Sequence, residues 1–464
     1  MNYHVWTIGC QMNTADSQHL AASLERLGYS WTDDIEAADV VVLNTCVVRQ
    51  QAEDRIYGRL GSLRPLKEAR PEVVIGLMGC LVGHRPARDL PRRFPYVDVF
   101  IPPSQTETMT SFLTARALDS AAREGEEADT AARWRLQDGP STELVPIPER
   151  ERGAMVSAHV PAVLGCNWVC TYCIIPSRRG PERSRAPEEV SRHVEGLVAG
   201  GVREVTLLGQ IVDRYGHDLG LDDGLPRLLE RLSDVRGLER IRFLTSHPTF
   251  MTDGLIDAVA RLPKVMEHIE VPVQAGHDEV LRRMKRGYNV DEYRRLVDKL
   301  RERIPGVAIH TDVIVGFSGE TEEQFRATYD LLHELRLDKA HIAKFSSRPG
   351  TVAAKVMEDD VTDEDKERRR RELDQLQEAI RADINADYAG RTVETLVEGR
   401  DGPRWRARTR TNKLVFFEDP RPLLGRLVDV RIHWTGPWSM LGVAEDAASP
   451  TEAAERASIE LSPR

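Results

Sequence analysis

An α/β fold in three parts is predicted: an open parallel α/β domain, a central partial TIM-like βα barrel, and a small antiparallel β-barrel. Three observations carry this prediction. Over residues 1–118, apolar runs that each end at a cysteine alternate with helix-like stretches. Over 152–383, repeated strand-and-helix units succeed one another. Over 384–446, the pattern changes to short β-like runs broken by Gly and Pro. At 464 residues the chain is too long for one ordinary core, and 41% hydrophobic with 30% charged residues describes a globular protein.

In the first part HVWTIGC, DVVVLNTC and VVIGLMGC read as buried strands, ending at Cys10, Cys46 and Cys80. Between them, DSQHLAASLERLG and VRQQAEDRIYGRLGSLR have helical periodicity, and strand–helix–strand order implies a parallel sheet. Ligands of such sheets sit beyond the carboxyl ends of the strands, so the three cysteines can converge there. Three buried structural thiols are the plain alternative. Residues 119–151, rich in Ala, charged residues and Pro, read as an exposed linker.

In the second part the strand candidates are VSAHVPAVLGC, EVTLLGQ, RIRFLTSHP, HIEVPVQ, VAIHTDVIVGF and KAHIAKFSS. Their repetition with helices suggests a full or partial parallel barrel with functional residues at the strand carboxyl ends. The charged helix DEDKERRRRELDQLQEAIRADI reads as a solvated face laced with i,i+4 pairs. In the third part, residues 391–434 hold ten basic and six acidic residues, against a net charge of −10 for the chain. Basic residues interleaved with Trp405, Phe416, Phe417 and Trp434 fit a nucleic-acid surface; the alternative puts those aromatics in the core. Residues 447–464 read as a disordered tail.

No apolar run approaches the ~20 residues that span a bilayer, and no signal peptide is visible, so a cytoplasmic location is expected. Thiols stay reduced there, which favours metal binding or chemistry over disulfides. The stretch GCNWVCTYC places Cys166, Cys170 and Cys173 in a C-x3-C-x2-C pattern. Zinc is disfavoured: no cysteine follows Cys173, and the next histidine, His193, lies in a predicted helix. A [4Fe–4S] cluster held by three thiolates keeps one iron open to a small ligand.

This loop, with Tyr172 just before its last cysteine, resembles the signature of radical S-adenosylmethionine enzymes. GCQMN, NTC and GC around Cys10, Cys46 and Cys80 are similar to the N-terminal domain of the methylthiotransferases within that group. LLGQ, TSHP, VPVQAG, TDVIVGFSGETEE and SSRPGT resemble successive strand ends of their radical domain, and TRTNKLVFFE and PWSMLG resemble the RNA-binding TRAM barrel. The resemblance runs from residue 3 to about 445. LLGQIV and TRTNKLVFF are most like the branch acting on N6-isopentenyladenosine 37 of tRNA. Ile211, where the family often has Asn, and Phe345-Ser346-Ser347 depart from its common pattern.

The resemblance implies two [4Fe–4S] clusters. Cys166, Cys170 and Cys173 would hold the one that binds S-adenosyl-L-methionine and generates a radical; Cys10, Cys46 and Cys80 would hold a second that handles sulfur. Tyr172, Gln210, Ser246, Gln274 and Gly316 would face the cofactor. For the last four a structural role stays open: Gly316 permits a turn, and Gln210 caps a strand. Arg178, Arg179, Arg183 and Arg185 would meet tRNA phosphate or the cofactor carboxylate, or be surface charges. Implied partners are the tRNA anticodon stem-loop, an electron donor such as flavodoxin or ferredoxin, and an unidentified sulfur donor, with no membrane and a monomeric state. Rival expectations are action on threonylcarbamoyl-adenosine tRNA or on a ribosomal-protein aspartate, and a non-catalytic iron–sulfur RNA-binding protein.

Overall fold

The computed structural model describes residues 1–47, 50–85, 89–124 and 147–445. The tail expected over 447–464 lies outside the described residues, as does 125–146 of the expected linker. The helix Glu107–Glu124 runs into the start of that stretch.

The first unit is a five-stranded parallel sheet of β1 (Asn2–Thr7), β2 (Ser30–Trp31), β3 (Val40–Thr45), β4 (Val74–Gly79) and β5 (Val99–Ile101), in the order β2-β1-β3-β4-β5. Every residue of β3 and β4 is buried, as expected of central strands covered on both faces. Helices Gln11–Arg26 and Gln50–Ala69 make the crossovers. The three strands that lead to cysteines, β1, β3 and β4, are immediate neighbours.

The second unit begins with β6 (Ser157–Pro161), and a short antiparallel pair, β7 (Val163–Leu164) with β8 (Arg183–Ser184), brackets the cysteine loop. The remaining strands are β9 (Glu204–Leu208), β10 (Arg240–Leu244), β11 (His268–Glu270), β12 (Ala308–Val315) and β13 (Lys339–Lys344). They form two parallel sheets, β10-β9-β6 and β11-β12-β13, joined by a bridge between Ile241 and Val265. Together they make a partial barrel of six strands, wrapped by amphipathic helices. Helices Val290–Arg303 and Glu322–Leu335 start with reciprocal capping boxes at Asn289/Glu292 and Thr321/Gln324.

The helix Asp363–Ala386 differs from the solvated helix its charges suggest. Arg368, Arg370 and Arg371 do pair along its surface. Lys366 and Arg369, however, are buried, and Arg369 pairs with Glu320 at 2.8 Å. Charge pattern alone does not separate a paired inward face from a wet one, because both read as i,i+3 and i,i+4 alternation.

The third unit is a closed barrel of β14 (Thr392–Asp401), β15 (Arg404–Thr409), β16 (Leu414–Phe417), β17 (Leu427–Thr435) and β18 (Met440–Ala444), ordered β14-β15-β16-β18-β17. Its pairs are antiparallel except β16 with β18, which runs parallel from Val415–Met440. Trp405 and Phe417 lie in its core, which removes them from the expected nucleic-acid surface; Trp434 and Trp438 are exposed. The alternation of β15, with every second residue turned inward, is the reason. This barrel docks beneath the βα unit, at the amino ends of its strands. Arg240 donates to Arg408 O at 2.7 Å, Arg242 to Thr409 O at 2.9 Å and Arg410 O at 2.7 Å, and Lys413 pairs with Asp338 at 2.8 Å. No helix among the described residues is long and apolar enough to cross a membrane.

Candidate metal and cofactor site

Two sets of three cysteines are assembled by different means. The first set comes from three loops at one sheet edge. Cys10 caps the helix Gln11–Arg26 after β1, Cys46 follows β3 directly, and Cys80 follows β4 directly. Cys46 and Cys80 are buried and Cys10 is exposed. Burial pushes the Cys80 thiol up to about 11, and the neighbouring Cys46 and Cys10 add to the cost of ionising it. Asn13 ties the strand ends together: its Nδ2 donates to Ile8 O, Asn44 Oδ1 and Thr45 O at 2.9–3.2 Å. Gly79 has φ +95°, and a Cβ there would sit 2.5 Å from Asn44 Oδ1 and 2.6 Å from Thr45 O, so the turn into Cys80 needs glycine.

The second set comes from one loop. Gly165, with φ +69°, precedes Cys166, and a Cβ on it would lie 2.1 Å from Pro181 O. Cys166 N donates to Gly180 O at 3.1 Å, which closes the base of the loop. Burial pushes the Cys173 thiol up to about 12, with Cys170 and Cys166 close enough to contribute. Arg286 donates from Nη1 to Cys170 Sγ at 3.4 Å and from Nε to Tyr288 Oη at 3.0 Å. Neutral, desolvated thiols must lose protons to bind metal, so loading either set releases protons.

Among the described residues no three His, Cys, Asp or Glu close on a single metal ion. Around one zinc, thiolates at about 2.3 Å crowd a common centre; on a cubane each takes a separate iron and the sulfurs stand further apart. The donor chemistry, three thiols alone in each set, therefore fits the cluster better than zinc.

The expected cofactor-facing residues all lie at the carboxyl ends of the partial barrel. Gln210 follows β9 and is half-buried. Ser246 follows β10 and is buried, and its Oγ has no hydrogen-bond partner. Gln274, beyond β11, holds φ +71° and bridges to Val313, with its Oε1 buried and unpartnered. Gly316 ends β12 at φ +70°, and its N donates to Glu320 Oε2 at 2.6 Å. A Cβ on Gly316 would meet Lys366 Cγ at 2.3 Å, so packing and turn geometry both demand glycine there. The Tyr172 ring stands 6.4 Å from Phe317, which joins the cysteine loop to the end of β12. Orphaned buried oxygens at Ser246 and Gln274 are what a polar cofactor would satisfy.

Of the four arginines after the loop, Arg179 is buried and Arg185 is engaged by Glu189 at 2.7 Å and Pro161 O at 2.9 Å. Neither presents a free guanidinium to phosphate. Arg183 is exposed. Residues that the cysteine spacing gave no hint of also converge here. Arg286 and Tyr288 back the loop. Asp213 accepts from His247 N at 2.9 Å, while its other oxygen and His247 Nε2 are buried without partners. Trp168 packs on His247 at 4.9 Å and on Phe250 at 5.3 Å.

Burial pushes the Asp213 carboxyl up to about 7. A raised acid favours the folded state while it stays protonated, so this contribution is lost as pH climbs from the unfolded value near 4 towards 7. Asp213→Asn keeps the acceptor for His247 N and removes the titration. Relative to the parent, the variant is expected to gain about 2 kcal/mol between pH 5.5 and 8, at 1.36 kcal/mol per unit. Urea unfolding of the apoprotein at both pH values measures this, and a pH-independent difference would refute it.

The comparisons with known proteins agree with this construction. Residues 2–102 match a family described as uncharacterized, 160–332 match the Radical SAM superfamily, and 386–444 match the TRAM domain. The fold is similar to a radical S-adenosylmethionine methyltransferase, TsrM, from Kitasatospora setae, solved with cobalamin and a [4Fe-4S] cluster. That likeness has a TM-score of 0.53 and 16% identity, over 76% of each chain. These matches define the class, a radical S-adenosylmethionine enzyme, which implies a [4Fe–4S] cluster and S-adenosylmethionine. Curated relatives named tRNA-2-methylthio-N(6)-dimethylallyladenosine synthase are 47% identical in Roseiflexus sp. (strain RS-1), over 95% of this chain and 89% of that protein. A second, from Chloroflexus aurantiacus, is 46% identical over 96% of this chain and 91% of that protein. The chain belongs to this tRNA-2-methylthio-N(6)-dimethylallyladenosine synthase family of methylthiotransferases.

Proposed function

We propose that this protein inserts a methylthio group at the 2-position of N6-isopentenyladenosine 37 in tRNA. Cys166, Cys170 and Cys173 would hold the cluster that binds S-adenosylmethionine, and Cys10, Cys46 and Cys80 a second one. The observation that carries the reading is that the segments following the two three-thiol sets meet. His84 N, just past Cys80, donates to Arg178 O at 2.6 Å, just past Cys173. When bound, S-adenosylmethionine on a reduced cluster supplies hydrogen abstraction from a C–H bond that acid–base groups cannot activate. The chain's own residues orient and exclude. Gln210, Ser246 and Gln274 offer polar atoms to the cofactor at the strand ends, Tyr172 covers it, and Arg286 with Tyr288 fixes the loop that holds the cysteines.

The tRNA anticodon stem-loop is the partner, and the exposed Trp434 and Trp438 offer it rings to stack on, Trp438 with Arg381 already over its ring at 4.3 Å. An external electron donor is required, such as flavodoxin or ferredoxin. Anaerobically reconstituted protein should form the 2-methylthio product on isopentenylated tRNA and not on threonylcarbamoyl-adenosine tRNA or a ribosomal-protein aspartate. No product with isopentenylated tRNA would overturn the reading. Reductive cleavage of S-adenosylmethionine separates it from a non-catalytic iron–sulfur RNA-binding protein.

A further inference from the structure

Arg179 ends the short helix Ile175–Arg179 that follows the radical loop, yet its guanidinium lies inside the N-terminal unit. Its side chain is 3% exposed. Nη2 donates to Asn13 Oδ1 at 2.7 Å, and Nη1 donates to Ser104 Oγ at 3.4 Å and lies 3.5 Å from Asp16 Oδ2. The same Asn13 Oδ1 accepts from Cys10 Sγ at 3.6 Å, so the guanidinium stands one shared partner away from the first cysteine set. Asn13 is the residue that gathers the ends of β1 and β3, so Arg179 grips the scaffold of the first cysteine set from the loop of the second. Gly180, at φ +79°, lets the chain turn away: a Cβ there would strike the His84 ring at 2.7 Å.

We propose that Arg179 is a positioning residue that keys the radical loop into the N-terminal cysteine set and raises the reduction potential of the group held there. This rests on the reading of Cys10, Cys46 and Cys80 as ligands of a second cluster. A cluster gains negative charge on reduction, and charges and hydrogen bonds at its sulfurs set its potential. The buried guanidinium, sharing Asn13 Oδ1 with Cys10, stabilises the reduced form; the Asp16 carboxylate, 3.5 Å from it, opposes this. A guanidinium that merely joined two domains would leave the potential unmoved.

The test uses the reconstituted holoenzyme and redox titration followed by electron paramagnetic resonance. The signal that S-adenosylmethionine does not perturb reports the N-terminal cluster. Arg179→Gln is expected to lower its reduced-to-oxidised ratio about tenfold at a fixed solution potential, equivalent to about 59 mV for one electron. Asp16→Asn, which removes the opposing charge and keeps the side-chain shape, is expected to raise the reduced fraction. Loss of iron from this set alone in Arg179→Gln supports the positioning role, and Asp16→Asn then decides the electrostatic one. Unchanged potentials, or shifts of the same sign in both variants, overturn the proposal. A parent protein with a single cluster overturns the two-cluster reading itself, visible in iron analysis before any variant is made.

Discussion

Cys80→Ala is expected to lower bound iron from about eight to about four per chain and to abolish the methylthio product, while reductive cleavage of S-adenosylmethionine persists. Cys173→Ala is expected to lose a similar amount of iron and both activities. The contrast comes from where the thiols sit. Cys80 ends β4 in the first sheet, and Cys173 lies in the loop bracketed by β7 and β8. Each set keeps only two thiols when one is removed, and a cubane bound by two thiolates is poorly held. Neither change opens a large cavity, since an alanine loses only the sulfur atom. The lesion is therefore in cluster loading, with the fold intact. Iron and sulfide analysis with assay of 5′-deoxyadenosine decides it. Cleavage lost in Cys80→Ala, or iron unchanged in either variant, would sink the assignment of the two sets.

Much of this site is legible in the sequence because its cysteines sit where local rules apply. DVVVLNTC and VVIGLMGC are strands by their β-branched and aliphatic content, and a parallel sheet brings the residues at their carboxyl ends to one edge. The loop Cys166–Cys173 needs no tertiary information at all. Gly316 and Gln274 are visible as residues just past strands. What escapes is whatever depends on contacts between distant segments. Arg179 reads like Arg178, Arg183 and Arg185; only the docking of two units buries it against Asn13 and Asp16. Arg286 reaches Cys170 across the chain by way of a buried guanidinium that no local pattern announces. Trp405 and Phe417 look like candidates for stacking on bases until the pleat turns them inward. The helix Gly224–Ser233 carries a leucine stripe at i, i+3, i+4 and i+7 (Leu225, Leu228, Leu229, Leu232) that its local pattern does show, whereas Asp278–Met284 is too short to show one.

Arg242→Ala is expected to cost about 3–5 kcal/mol at the junction between the βα unit and the small barrel. Arg242 lies on β10 with its side chain 3% exposed, and pairs with Glu204 of β9 at 3.1 Å, itself 3% exposed. Truncation leaves that carboxylate buried, with only the Ser157 hydroxyl, 3.2 Å away, still donating to it. It also removes the guanidinium donor from Arg410 O and from Thr409 O, two of the carbonyls that hold the β15–β16 turn; Thr409 O keeps Asn412 N at 3.0 Å. A buried carboxylate loses its counter-charge and two carbonyls lose a donor in one change, which is why the effect exceeds that of an exposed pair such as Arg261 with Glu230. The lesion sits at the amino ends of the strands, and the cysteines sit at the carboxyl ends. Cleavage of S-adenosylmethionine should therefore survive while tRNA affinity falls, because the barrel is no longer held in place. Amides around Asn412 and Lys413 should exchange about a hundredfold faster or more, at 1.4 kcal/mol per factor of ten. Exchange there unchanged, with the protein folded, would mean that Arg240, Arg410 and Lys413 alone hold the barrel.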